Sequence, residues 1–243
     1  MGNILSNTLE TYLSDIKLVL LFAIPFIISF LIPLLTPLPS YVDSGAIFLR
    51  SASISFNLNL ISIAIIILSV FFSLLFLSFA FVAISLIVKA RKTHTKPTQV
   101  VMRGIEKYTS RVFAVLLFYL LVLALASTLG YYLGIETALT AVTGFVVFML
   151  IFYAPTAIVI DGKGIGPALK NSVGMIAKAP QYFLMWLVSL VIMLSFLDFL
   201  FIALLGTPFA GYLLLFVNSL FVLPYFVIYQ AEAYMKKYPI LKH

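Results

Sequence analysis

Six predominantly apolar stretches divide the chain, at residues 18–35, 60–86, 112–133, 138–160, 184–205 and 212–234, and polar residues collect between them. A helix that crosses a bilayer needs about twenty mostly apolar residues, with a range of about 17–25. Each stretch therefore predicts one transmembrane helix, and the fold class predicted is an all-α, polytopic bundle of six spans. The second stretch is longer than a bilayer requires, which predicts tilt or projection beyond one face. Pro25, Pro155 and Pro224 fall inside spans. A proline there removes a helical hydrogen bond, so all three are expected to kink their helices, a distortion that packed neighbours tolerate.

Shorter stretches with apolar residues at helical spacing precede the first, third and fifth spans. They are Leu5, Leu9, Leu13 and Ile16; Val101, Ile105, Tyr108 and Val112; and Leu169, Val173, Ile176 and Phe183. Spacings of three, four and seven place such residues on one helix face. They predict three amphipathic elbow helices, either lying on the bilayer or docking a cytosolic partner. An elbow followed by a two-span hairpin then recurs at about 4–90, 98–160 and 165–235 within a single membrane domain, 1–243. The endings FYAPTAIVI (152–160) and FVLPYFVIY (221–229) echo each other. Units of one orientation suggest a threefold parallel repeat about an axis along the membrane normal.

Composition agrees. Apolar and aromatic residues make up 63% of the 243 residues and charged residues 9%, with a mean hydropathy of +1.19. Water cannot solvate a surface this apolar. The net charge of +7 resides in the connections. Counting Lys and Arg with the amino terminus inside places Lys17, the seven in the 89–111 segment, Lys163, Lys170, Lys178, Lys236, Lys237 and Lys242 in the cytoplasm, and only Arg50 outside. That asymmetry predicts a multi-pass protein of the cytoplasmic membrane with both termini cytoplasmic. Glu10 and Asp15 against a single Lys17 do not make the positive n-region of a signal peptide, so the first apolar stretch is read as a retained span.

The loop after the fourth span carries a resemblance. The segment APTAIVIDGKGIGPALKNSVGMIAKAPQYFLMW (154–186) resembles a broad group of prokaryotic six-helix membrane proteins. That group includes the membrane domain attached to some glycerophosphoryl diester phosphodiesterases, and uncharacterised relatives. In it, a proline-bearing span ends in an acidic residue and a glycine. An amphipathic helix with an alanine–leucine pair and a serine follows. Here those positions are Pro155, Asp161, Gly162, Ala168, Leu169 and Ser172. The resemblance implies a six-span fold and no reaction, because the phosphodiesterase chemistry resides in a separate soluble barrel without a counterpart in these residues.

Candidate chemistry is sparse. There are no cysteines, which removes thiolate catalysis and thiolate metal sites. His94 and His243 lie in basic segments without a metal-binding pattern, and the glycines of DGKGIGP (161–167) match no phosphate loop, so they are read as a turn. The expectation is a non-enzyme without cofactor. Asp198 is the one ionisable residue placed clearly within a span. Such groups suggest function by default, as an ion or proton site or the wall of a water-filled vestibule. Equally, Asp198 and Asn218 flank the turn between the last two spans at matching depth, about 9 Å from the boundary at about 1.5 Å per residue, where they could form a hydrogen-bonded clamp. Lys89, Arg91, Lys92, Lys96, Arg103, Lys107 and Arg111 form a basic, lipid-facing cluster opposed by Glu106. It fixes topology and could attract anionic head groups at about 1 kcal/mol per charge. Without interleaved stacking aromatics it does not read as a nucleic-acid surface. The partners expected are membrane lipid and a cytosolic protein. The function expected is a non-catalytic scaffold or interaction subunit, with a small transporter or channel near Asp198 as the alternative.

Overall fold

The protein's structure is a computed structural model that describes residues 2–43, 45–49 and 59–238. It is all-α apart from one hairpin, and six helical segments are long and apolar enough to cross a bilayer: Ile16–Leu35, Leu60–Lys92, Pro97–Leu133, Glu136–Asp161, Pro180–Leu205 and Phe209–Lys237. Arg50 and Lys242, two of the residues counted for orientation, lie outside the described residues.

Helix α1 (Gly2–Ser14) precedes α2 (Ile16–Leu31), which tightens into a 3₁₀ turn at Ile32–Leu35. A hairpin follows, β1 (Ser40–Asp43) against β2 (Ala46–Leu49), antiparallel with Tyr41 opposite Phe48. Those two rings stack at 5.6 Å. Apolar residues facing each other around a turn glycine make this short segment a hairpin where no strand was expected. Helices α3 (Leu60–Lys92) and α4 (Pro97–Leu133) are 33 and 37 residues long. At about 1.5 Å per residue both reach about 50 Å or more, well beyond a hydrocarbon core of about 30 Å.

The middle elbow is not a separate helix. Val101, Ile105, Tyr108 and Val112 belong to the first turns of α4, which runs unbroken because no proline interrupts it after Pro97. Its apolar side packs against α3 instead: Val101 and Val112 are buried, and a Cβ on Gly104 would lie 2.6 Å from Leu86 Cδ1. The other two segments fall mainly in discrete helices, α1 and α7 (Ile165–Lys178).

The fourth span is broken at residues 152–153, and the sixth is distorted but continuous. The fourth comprises α5 (Glu136–Ile151) and α6 (Ala154–Asp161), and the sixth comprises α9 (Thr207–Val217), a π turn at Asn218–Val222 and α10 (Leu223–Lys237). Pro155 stands in the first turn after the break, where a missing N–H costs nothing, so it begins a helix instead of kinking one; Pro224 directly follows the π turn of a helix that runs on, the kind of place where helices bend. Pro25 lies inside a continuous α2. Between them, α8 (Pro180–Leu205) buries only Phe183.

The core sits at one end. Every residue from Ala154 to Ile160 in α6 is buried, as are most of the last ten residues of α3 and most of α10. Helix α6 is the centre, packed against α3, α4, α7 and α10. In the opposite half the side chains of α3 and α8 face outward, as a lipid solvent permits. There Ser29 and Ser73 join α2 to α3, each hydroxyl donating to the other's backbone carbonyl at 2.8 Å.

Candidate functional site

The break before α6 frees backbone groups that have no helical partner. Two neighbouring helices supply the partners. The Tyr153 N–H donates to Ser172 Oγ of α7 at 2.9 Å, and the Gln230 amide of α10 donates to the Phe152 carbonyl. With Ala168 fully buried in the same contact, α7 is seated on the break by a small residue and a hydroxyl.

At its other end α6 stops at Asp161, and Gly162 takes a left-handed conformation with φ of 69°, the usual helix-ending geometry. Cations gather on the exposed carbonyls, where the helix dipole favours positive charge. Lys89 Nζ donates to Val159 O at 2.9 Å. Arg111 reaches the carbonyls of Gly162 and Lys163 at 3.4 and 3.3 Å. Asp161 Oδ2 accepts from the Tyr234 hydroxyl at 2.7 Å and from Asn171 Nδ2 at 3.2 Å, and pairs with Lys163 Nζ at 3.0 Å. Asn171 also donates to the Tyr234 hydroxyl oxygen at 2.9 Å. One carboxylate oxygen thus collects donors from α7, α10 and the loop, and charge-assisted bonds of this kind are the strong ones.

A second network holds α1. Glu232 is 5% exposed; its Oε1 accepts from Thr11 Oγ1 at 3.3 Å and its Oε2 pairs with Lys92 Nζ at 3.0 Å. Arg91 pairs with Glu10 at 2.6 Å and with Asp15 at 3.8 Å. These contacts place the amino-terminal helix and the end of the last span at the same end of the bundle. Helix α1 turns Ile4, Thr8, Thr11 and Tyr12 inward, while Leu5, Leu9 and Leu13 are 41%, 50% and 56% exposed. Burial raises the Tyr12 phenol above its usual pKa, which keeps it a neutral donor.

The basic cluster therefore divides. Lys89, Arg91, Lys92 and Arg111 turn onto carbonyls and carboxylates of the protein itself, so they are not a lipid-facing set. Lys96, Arg103 and Lys107 remain exposed, the last with its ammonium 5.4 Å from the Tyr108 ring centre.

Asp198 and Asn218 do not form the expected clamp. Asn218 Nδ2 donates to the Gly45 carbonyl of the β1–β2 hairpin at 3.0 Å, and Asp198, half-buried in α8, has no hydrogen-bond or ionic partner among the described residues. Depth alone was an insufficient guide. Gly211 and Asn218 are seven residues apart, hence on one face, and that face meets the hairpin: a Cβ on Gly211 would lie 3.1 Å from Val42.

Gln230, Glu232, Tyr234 and Asn171 carry much of the site; from the sequence Tyr234 stands out only within the resemblance of the final span, and the other three are not singled out. A signal was present in the alternation of Gln230, Glu232 and Tyr234 at the end of an otherwise apolar run. Gln230 and Tyr234 share a helix face toward α6, and Glu232 points away from it toward α1.

Comparison with known proteins yields no matching family model, no similar curated protein and no similar solved structure.

Proposed function

We propose that this chain is a non-catalytic scaffold of the cytoplasmic membrane, with both termini and the basic end of the bundle inside the cell. In this reading α1 and α7 are interfacial helices that contact lipid or recruit a cytosolic partner. The observation that carries it is the double character of α1. Thr11 is latched to Glu232 and Thr8 and Tyr12 are buried against the bundle, while three leucines on another side are left outward at the level where the basic residues collect. A helix held in that way offers an apolar strip to the acyl–headgroup boundary. The like position of the helix distortions before Pro155 and Pro224, a break in one span and a π turn in the other, supports treating the second and third units as repeats.

The absence of cysteine makes the topology directly testable with single introduced cysteines. Thr137→Cys, in the first turn of α5 beside the α4–α5 turn, is expected to react with an impermeant maleimide added to intact cells. Thr95→Cys and Lys163→Cys are expected to react only once the membrane is opened. Labelling of Lys163→Cys from outside defeats the six-span, termini-inside arrangement. The rival reading, a small transporter or channel near Asp198, draws on that carboxyl's having no partner among the described residues. It requires a flux into vesicles that Asp198→Asn abolishes without loss of fold.

A further inference from the structure

Beneath α1 lies a cleft of about 490 Å³ bounded by α1, α8 and the last span, within the range of about 300–1,000 Å³ typical of ligand sites. Its α1 wall is the leucine strip, Leu5, Leu9 and Leu13, and Met193 and Phe221 extend it toward the middle of the bundle. The lining is apolar apart from hydroxyls. Two of these belong to Tyr12 and Tyr229, which are 7% and 2% exposed; both hydroxyl oxygens are tucked into the wall, and neither has a hydrogen-bond partner among the described residues. Buried hydroxyls are satisfied as a rule, so two unsatisfied ones in the wall of an otherwise greasy cleft fit a ligand that is mostly hydrocarbon with a few oxygens, toward which a small turn of each tyrosine brings its hydroxyl.

The charge above the cleft identifies the rest. Lys236 is seven residues beyond Tyr229, on the same face of α10 and about 10 Å farther along it. Its ammonium lies 5.9 Å from the Tyr182 ring centre of α8, so it stands between the two helices that bound the cleft. Read from the basic end inward, the order is cation, hydroxyls, then hydrocarbon wall.

We propose that this cleft holds one tail of an anionic membrane phospholipid, with oxygens of the glycerol linkage bonded to the Tyr12 and Tyr229 hydroxyls and the headgroup beside Lys236. The site rests on the reading of α1 as a bilayer-facing helix, and makes α1 the outer wall of a lipid site instead of a simple surface anchor. The order of chemistry matches that of a lipid entering from the inner leaflet, tail first toward the bilayer centre.

The test uses the full-length protein in nanodiscs of phosphatidylcholine doped with a phospholipid bearing a diazirine in its tail, as phosphatidylglycerol in one arm and phosphatidylcholine in the other. After irradiation, adducts are mapped by mass spectrometry. The expected adducts are on Leu9, Met193 and Tyr229, stronger for phosphatidylglycerol, with the headgroup preference lost in Lys236→Gln. Ser189→Trp, at an exposed lining position, is expected to fill the cleft and lower its labelling about tenfold or more, leaving adducts at the open α8 residues Val191 and Ile192 unchanged. Tyr12→Phe with Tyr229→Phe keeps the walls and is expected to lower cleft labelling as well. Cleft labelling no greater than at Val191 and Ile192, insensitivity to Ser189→Trp, equal labelling by both lipids, or cross-links from the cleft to a second copy of the chain would each overturn the proposal. Leu9→Cys separates the two levels: protection from a water-soluble maleimide with an unlabelled cleft sinks the lipid site alone, and ready reaction sinks the underlying reading of α1.

Discussion

Glu232 is the acceptor on which the docking of α1 turns, and its removal gives a calculable effect. Glu232→Ala deletes two contacts at once. The ion pair with Lys92 is partly solvated, since the lysine side chain is 38% exposed and can turn to water; such pairs contribute about 0–1 kcal/mol. The Thr11 hydroxyl cannot escape so easily, because Thr11 is 1% exposed and a buried donor left without its acceptor costs about 1–3 kcal/mol. The expected weakening of α1 docking is therefore about 1–3 kcal/mol, a factor of about 5 to 150 in the equilibrium. Glu232→Gln keeps an acceptor for Thr11 and forfeits only the charge, so it should cost about 1 kcal/mol or less. Hydrogen exchange of the α1 amides in detergent or nanodiscs reads the effect as a loss of protection confined to residues 2–14. The diagnostic variant is the pair Thr11→Val with Glu232→Ala. Removing both partners relieves the unsatisfied hydroxyl, so the pair should be more protected than Glu232→Ala alone. Unchanged α1 exchange in Glu232→Ala, or strictly additive losses in the pair, would refute this account of the latch.

Three further expectations follow from the same geometry. Gly45→Ala should destabilise the protein by about 1–2 kcal/mol or more, because its φ of 73° is left-handed and a Cβ there would lie 2.8 Å from Asn218 Cβ; a thermal melt in detergent checks it, and Gly211→Ala, whose Cβ would press on Val42 at 3.1 Å but carries no left-handed backbone, should cost less. Gln230→Leu and Ser172→Ala each strip a partner from the break before α6 and should lower stability by about 0.6–2 kcal/mol, the scale of hydrogen bonds within membranes, measured by unfolding in mixed micelles. Asp198→Asn should leave the melting temperature unchanged, since no partner among the described residues depends on the charge; a drop would show that the carboxylate has a structural role.

The spans were legible because a bilayer leaves only one signal to read, a run of apolar residues of sufficient length, and that signal survives without tertiary information. What decided the remaining features was azimuth and contact, which no one-dimensional pattern carries. Residues 101–112 have the spacing of an amphipathic elbow, yet the same spacing serves a helix that packs one face on α3, and with no proline after Pro97 nothing stops α4 from running straight through. Asp198 and Asn218 matched in depth and differed in direction. The seven basic residues between 89 and 111 were read as a charge asymmetry, but the partners of four of them, Glu10, Asp15, Glu232 and the carbonyls of residues 159–163, lie far away in the chain. The positions behind the family resemblance fared differently: Pro155, Asp161, Gly162, Ala168 and Ser172 all turn out to build the joint among α6, α7 and α10, so that short pattern records a packing requirement.

The claim that α1 is latched to the bundle while presenting leucines to the bilayer is tested most directly by its two faces. Spin labels placed singly at Leu5, Leu9 and Leu13, and at the exposed polar positions Asn7 and Ser14, can be compared for collisions with oxygen, which partitions into lipid, and with a water-soluble nickel chelate. The account predicts oxygen-dominated relaxation at 5, 9 and 13 and nickel-dominated relaxation at 7 and 14, alternating with the helical period. Nickel access at 5, 9 and 13 equal to that at 7 and 14 would place the leucine strip in water and contradict it.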